Sequence, residues 1–249
     1  MVNANAIGII QARASSTRLP GKIFAPIADR ATLLDVLAQR LETAGIEWWL
    51  ATTVERSDDV SAAWGEALGL RVYRGSQDDV LSRFLGVLTE ADAEWCVRIT
   101  ADNPFTSGAT VQSLLEIAGS ADRSVDSIRA AGESRHYPLG FVPEVARTEA
   151  LRRLDQTIVE TEVFHRTHVT SAIPESATLR FTDELGPPRP TWRWTVDTAD
   201  DLRMARAAFE LFGSAWPTIE YSRMVSLLDA RPDITLLNSH VTQRALEDG

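Results

Sequence analysis

Three cations, Arg13, Arg18 and Lys22, crowd into the stretch IIQARASSTRLPGK (9–22), directly behind an apolar run, in a chain of formal net charge −10. A dense set of backbone amides and cations after a first strand is a natural receptor for a polyphosphate. Guanidinium forks grip phosphate oxygens in pairs, and the Lys22 ammonium acts as a point charge. Pro20 stiffens the loop and Gly21 turns it, so the backbone can come close to a ligand. The spacing is not that of a Walker A loop. Read alone, the stretch also fits a solvated basic loop making surface ion pairs.

Two carboxylates favour the first reading. Asp102 follows an apolar run in RITADNP, and Asp197 ends WRWTVD. Two acids at strand ends over one crevice suit Mg2+, which takes one or two carboxylates together with substrate phosphates. Each acid taken singly is more often a turn or cap residue: Asp102 precedes Asn-Pro, and Asp197 stands before a helical pattern. Taken with the basic loop, a nucleotide–metal site is the better explanation.

The elements that must position these groups alternate between apolar runs and amphipathic windows. AIGIIQA (6–12), IEWWLATT (46–53), LRVYRG (70–75) and EWCVRIT (94–100) read as strands. Helical spacing recurs through Leu33–Leu41, over 58–68, from Val80 through Leu88 and over 107–118. Strands alternating with helices imply crossover units and a mainly parallel sheet, an α/β fold in which ligands sit beyond the carboxyl ends of the strands. The basic loop and TADNP both lie at such ends. The second half is less regular. VPEVARTEALRRL reads as a strand turning into a helix with Thr148 as N-cap, 160–173 as helical, ESATLRF and TWRWTVD as strands, and a long helix runs to about Phe212. With no linker, repeat or low-complexity segment, one domain over 1–249 with an elaborated C-terminal half is expected.

Composition excludes several classes. A sequence pI near 4.9 argues against broad binding to nucleic acid or acidic lipid. No run approaches the ~20 apolar residues of a membrane span, and AIGII is too short for a signal peptide, so a cytoplasmic protein is expected. The single cysteine, Cys96, excludes an internal disulfide and reads as a buried, inert thiol. Glu162, His165 and His168 have metal-ligand spacing but lack further members. Trp48, Trp49, Trp95, Trp192 and Trp194 fall in strand-like runs, where core packing is the expected role.

At this point the residues carry a resemblance. IIQARASSTRLPGKIF, YRGSQDDVLSRF, VRITADNP, HVT and RWTVDTADDL stand in the order and spacing of cytidylyltransferases. The chain most resembles the SpsF-type spore-coat polysaccharide branch, related to CMP-Kdo and CMP-acylneuraminate synthetases. The resemblance implies a Rossmann-like, GT-A-like nucleotidyltransferase fold, CTP as donor, Mg2+ as cofactor, a small-molecule acceptor and a homodimer. It implies that Arg13 and Lys22 bind the triphosphate with Arg18 nearby, and that Gln11, Ala12 and the Gly75–Ser76 turn frame cytosine and ribose. Asp102 and Asp197 match its magnesium carboxylates, and Tyr137, Glu144 and His168 fall in its acceptor region. There the chain departs from the pattern. YPLGFVPEV (137–145) has Leu139 and Val142 where relatives often carry acids, and this points to an acceptor with fewer hydroxyls or with its own negative charge. Two rivals remain at this level: a GT-A-type glycosyltransferase, for which ADNP supplies only one of the expected acids, and a noncatalytic nucleotide-binding homologue.

Overall fold

A computed structural model describes residues 4–16, 18–130, 136–159, 162–181 and 185–243. Strand β1 (Ala6–Gln11) sends Ile7 and Ile9 to one face and Ile10 to the other, and both faces are buried. That is the environment of a strand inside a parallel sheet. A Cβ on Gly8 would fall 2.1 Å from the Trp48 ring, so close packing of β1 requires glycine there. A small hairpin, β2 (Pro26–Ala28) and β3 (Ala31–Thr32), leads into α1 (Leu33–Leu41), whose first turn is closed by a capping box between Thr32 and Asp35.

The alternation read from the sequence then holds nearly residue for residue through β4 (Glu47–Thr53), α2 (Asp59–Ala67), β5 (Arg71–Gly75), α3 (Val80–Glu90), β6 (Trp95–Thr100) and α4 (Gly108–Ser120). The second half adds β7 (Ser127–Ala130), β8 (Glu144–Arg147), α5 (Thr148–Thr157), α6 (Val163–Thr167), β9 (Thr178–Phe181), α7 (Ala199–Phe212), α8 (Tyr221–Asp229) and α9 (Pro232–Thr235). The seven-stranded sheet has the order β5-β4-β1-β6-β8-β7-β9. Its β5-β4-β1-β6 half is parallel, whereas β8 runs antiparallel to both β6 and β7.

Alternating residues divide the core into two layers. Ile10, Trp48, Leu50, Trp95, Val97 and Ile99 pack with α1, α4, α7 and α8, while Ile7, Ile9, Trp49, Ala51 and Cys96 pack with α3 and α5. Cys96 is buried, and desolvation pushes its thiol far above the ordinary range. Among the described residues, no helix is long and apolar enough to cross a membrane.

Three expectations for the second half need correction. TWRWTVD forms no strand. It lies beside Leu139 through an isolated bridge, Leu139 N–H to Trp192 O and Trp194 N–H to Leu139 O, and buried Arg193 between the tryptophans pairs with the side chains of Asp197 and Asp201. The helical window 160–173 shrinks to α6; residues 160 and 161 lie outside the described set, and the chain after Thr167 turns sharply at Val169, φ +47°. Thr148 does not cap α5. Its Oγ1 donates to Ala93 O, and Arg147 occupies the cap position with no side-chain capping bond to the helix.

Candidate active site

The basic loop is held at both ends. Ala14 N–H donates to Asp58 Oδ1 at 2.6 Å, and Gly21 N–H returns to Ala14 O at 3.1 Å. Gly21 has φ +68°, the left-handed region in which glycine carries no Cβ penalty. Asp58 is fully buried and also accepts from Thr53 Oγ1 and Ser61 Oγ. It is a positioning residue that sequence reasoning missed, as are Arg83 and Asp201. Its signal, an acid just before the α2 pattern in ERSDDV, is indistinguishable from an ordinary helix cap.

From this loop Lys22 reaches across the crevice. Its Nζ donates to Asp102 Oδ2 at 2.6 Å and to Asp197 Oδ1 at 2.8 Å. Thr100 Oγ1 donates to the second oxygen of Asp102 at 2.6 Å, and Val196 N–H donates to Asp102 O, joining the two acidic loops. Asp197 is held on its other side by Arg18 at 3.0 Å and Arg193 at 2.6 Å. Arg193 Nε donates to Asp201 Oδ1 at 2.9 Å, and Asp201 Oδ2 accepts from the backbone N–H groups of Asp197 and Thr198. Asn238 Nδ2 completes the hub by donating to Asp201 Oδ1 and Arg193 O.

The charges respond to this packing. Burial alone would depress the Lys22 pKa, but Asp102 and then Asp197 outweigh it and hold the ammonium above its ordinary value. Burial alone would raise Asp197, but Lys22, Arg18 and Arg193 outweigh it and hold the carboxyl below the ordinary range. Both groups are therefore charged across the neutral range. The two carboxylates meet at one Nζ, so a single cation can be reached from both, and two hard oxygen ligands that leave room for phosphate oxygens fit Mg2+.

A crevice of about 580 Å3 opens over these groups, and Gln11, Ala12, Arg13, Arg18, Lys22, Asp102, His168 and Asp197 all line it. The remaining expected residues lie outside its lining. Gly75 and Ser76 stand behind Gln77, Asp78 and Arg83, with Ser76 O accepting from Arg83 Nη1 at 2.7 Å. Glu144 backs Gln11 through Arg98, which donates to Glu144 Oε2 at 2.8 Å and to Gln11 Oε1 at 3.1 Å. Thr170 Oγ1 also donates to Glu144 Oε2, at 2.6 Å, so the turn at Val169 sends His168 to the crevice and Thr170 inward. Tyr137 is buried among Phe141 and Tyr221, with ring centroids 6.0 and 5.3 Å away. Phe141 is equally buried, so the 137–143 stretch supports the floor of the domain and does not line the crevice. His165 bonds Ser171, and no cluster of three or more metal-ligating side chains occurs among the described residues.

A parallel half-sheet with a cation-rich loop behind its first strand and acids at the far loops defines the fold of a nucleotidyltransferase. Residues 7–176 match the cytidylyltransferase family model, and the chain belongs to that family. It is 30% identical over 235 residues to the spore coat polysaccharide biosynthesis protein SpsF of Bacillus subtilis (strain 168), covering 90% of this chain and 94% of that protein. A cytidylyltransferase from Leptospira borgpetersenii shares the fold with a TM-score of 0.86 at 23% identity, over 97% of this chain and all of that one (100%). The structure of CMP:2-keto-3-deoxy-manno-octonic acid synthetase complexed with CTP matches with a TM-score of 0.57 at 18% identity, over 83% and 99% of the two chains. Family membership makes the chain a nucleotidyltransferase enzyme and displaces the glycosyltransferase reading. The matched segment includes the basic loop and Asp102, whereas Asp197, Arg193, Asp201 and Asn238 follow it.

Proposed function

We propose that the enzyme transfers CMP from CTP to a small acceptor, a sugar acid, phosphonate or phosphorylated compound, with release of pyrophosphate and dependence on Mg2+. The observation that carries this reading is the meeting of Asp102 and Asp197 at Lys22 Nζ, beneath a loop bearing Arg13 and Arg18. An acceptor oxygen attacks the α-phosphorus of CTP, a new P–O bond forms, and the bond to the β-phosphate oxygen breaks in line. Arg13 and Lys22 neutralise charge as it builds on the pyrophosphate, and Arg18 holds Asp197 in register. Asp102 and Asp197 would hold Mg2+, which supplies charge stabilisation for the attacking and leaving oxygens. Catalysis by this set is positioning and electrostatics. His168, which lines the same crevice, would face the acceptor.

Two readouts test the proposal. With Mg2+, CTP should raise the melting temperature more than ATP, GTP or UTP at equal concentration, since a ligand stabilises by RT ln(1 + [L]/Kd). Pyrophosphate release from CTP should then appear with one class in a panel of nonulosonic acids, phosphonates and sugar phosphates. Better stabilisation by UTP or GTP would end the cytidylyl assignment. CTP binding with no turnover on any acceptor class would favour the noncatalytic homologue.

A further inference from the structure

Arg83, one turn into α3, lines the crevice although it is only 1% exposed. Its Nη1 donates to Ser76 O at 2.7 Å and to Gln77 O at 3.2 Å. Those bonds fix the plane of the guanidinium and use both protons of Nη1. The other edge is different: Nε is buried without a hydrogen-bond partner, and no ion pair reaches the group among the described residues. The two nearest acids are committed elsewhere. Asp58 holds Ala14 N–H, Thr53 and Ser61, and Asp79 holds Ser82 N–H and Arg166. Burial lowers the Arg83 pKa to about 10, and the neighbouring Arg13 pushes the same way. Arg13 is exposed and forms no ion pair among the described residues. Asp58 and Asp79 push the other way but pair with neither cation among the described residues, and two adjacent cations with no ion pair, one of them desolvated, are costly in a chain that has acids to spare.

An anion placed against both relieves that cost, and the Nε/Nη2 edge of a guanidinium matches two oxygens of one phosphate. We propose that the Nε/Nη2 edge of Arg83 binds a phosphate group of the nucleotide, with Arg13 beside it. The inference rests on the crevice being the nucleotide site, and it adds a ligand that the basic loop does not contain. Arg83 thus does two jobs with its two edges, shaping the 76–77 turn with one and gripping phosphate with the other.

Calorimetric titration of the full chain with cytidine, CMP, CDP and CTP separates these jobs. Arg83→Met removes both edges, so it should weaken the phosphorylated ligand it touches about tenfold to a hundredfold more than it weakens cytidine. Arg83→Lys, a point charge without the fork, should restore only part of the loss. Equal weakening of cytidine and CTP would overturn the proposal, leaving Arg83 as a turn-shaping or base-reading residue. A measurement on the unaltered protein covers failure of the variants to fold: the 15N resonance of Arg83 Nε should shift with CTP and stay in place with cytidine. No shift with CTP, while CTP binds, contradicts the proposal. An unaltered protein that binds no nucleotide at all would instead overturn the reading of the crevice.

Discussion

Asp102 and Asp197 meet at one ammonium, yet the molecule holds them there by opposite means. Asp102 stands two residues beyond β6, in the centre of the sheet, where the paired main chain of β1 and β6 fixes its position and one hydroxyl, Thr100, trims its side chain. Asp197 stands on chain that joins no sheet. Its place is set by side chains: Arg193 and Arg18 from the front, and behind them the buried Asp201, which ties Arg193, the α7 cap and Asn238 together. A sheet supplies position through the backbone and tolerates side-chain change. A polar hub supplies it through a few groups that must all be present, since a partly satisfied buried network is worse than an apolar one.

Removing either acid should have the largest effect and should not distinguish them. Asp102→Asn and Asp197→Asn are each expected to lower kcat by about a thousandfold, within the few kcal/mol that a metal ligand supplies, as read by pyrophosphate release in folded variants. Near-normal turnover in either would remove that residue from the centre. The supports should separate them. Asp201→Ala leaves buried Arg193 with Asp197 as its one remaining acid and opens the α7 capping box, a loss of about 2–4 kcal/mol in urea unfolding. Asn238→Ala should cost about 1–2 kcal/mol for two buried hydrogen bonds. Thr100→Val should cost about 1 kcal/mol or less and leave Asp197 unaffected. If Thr100→Val proved as damaging as Asp201→Ala, the contrast between sheet and hub would fail.

The smallest effect is on pH dependence. Asp197 has a depressed pKa, so its contribution to stability is complete above the ordinary value of 3.8 and is lost as pH falls through the lower folded value. Lys22 has a raised pKa, so its contribution is complete below 10.5 and is lost as pH rises through the higher folded value. Lys22→Met should therefore flatten both the acid and the alkaline edges of a melting-temperature profile. Unchanged edges would show that the triad does not carry them.

The same contrast explains what could be read in advance. β1, β4 and β6 announce themselves because strands buried on both faces need continuous apolar runs, and the helices between them need an apolar stripe, whereas β5, a half-exposed edge strand, is marked by its place in the alternation. The crevice was legible for the same reason: Arg13, Lys22 and Asp102 sit at strand ends. TWRWTVD has the apolar alternation of a strand, and only its tertiary partners show that Arg193 serves a hub. Asp58, Arg83 and Asp201 carry no local signature, because an acid before a helix or an arginine within one is ordinary surface chemistry until the fold buries it. Tyr137 shows the reverse: its motif suggested a binding residue, and its environment is aromatic packing.

If Asp102 and Asp197 together hold one divalent cation with the nucleotide, Mn2+ will report it as a paramagnetic stand-in. Titration of Mn2+ into the enzyme with CTP, followed by electron paramagnetic resonance, should show one enzyme- and nucleotide-dependent site. That site should be lost or weakened by at least about tenfold in both Asp102→Asn and Asp197→Asn. Tight Mn2+ binding that persists in either folded variant would contradict the account.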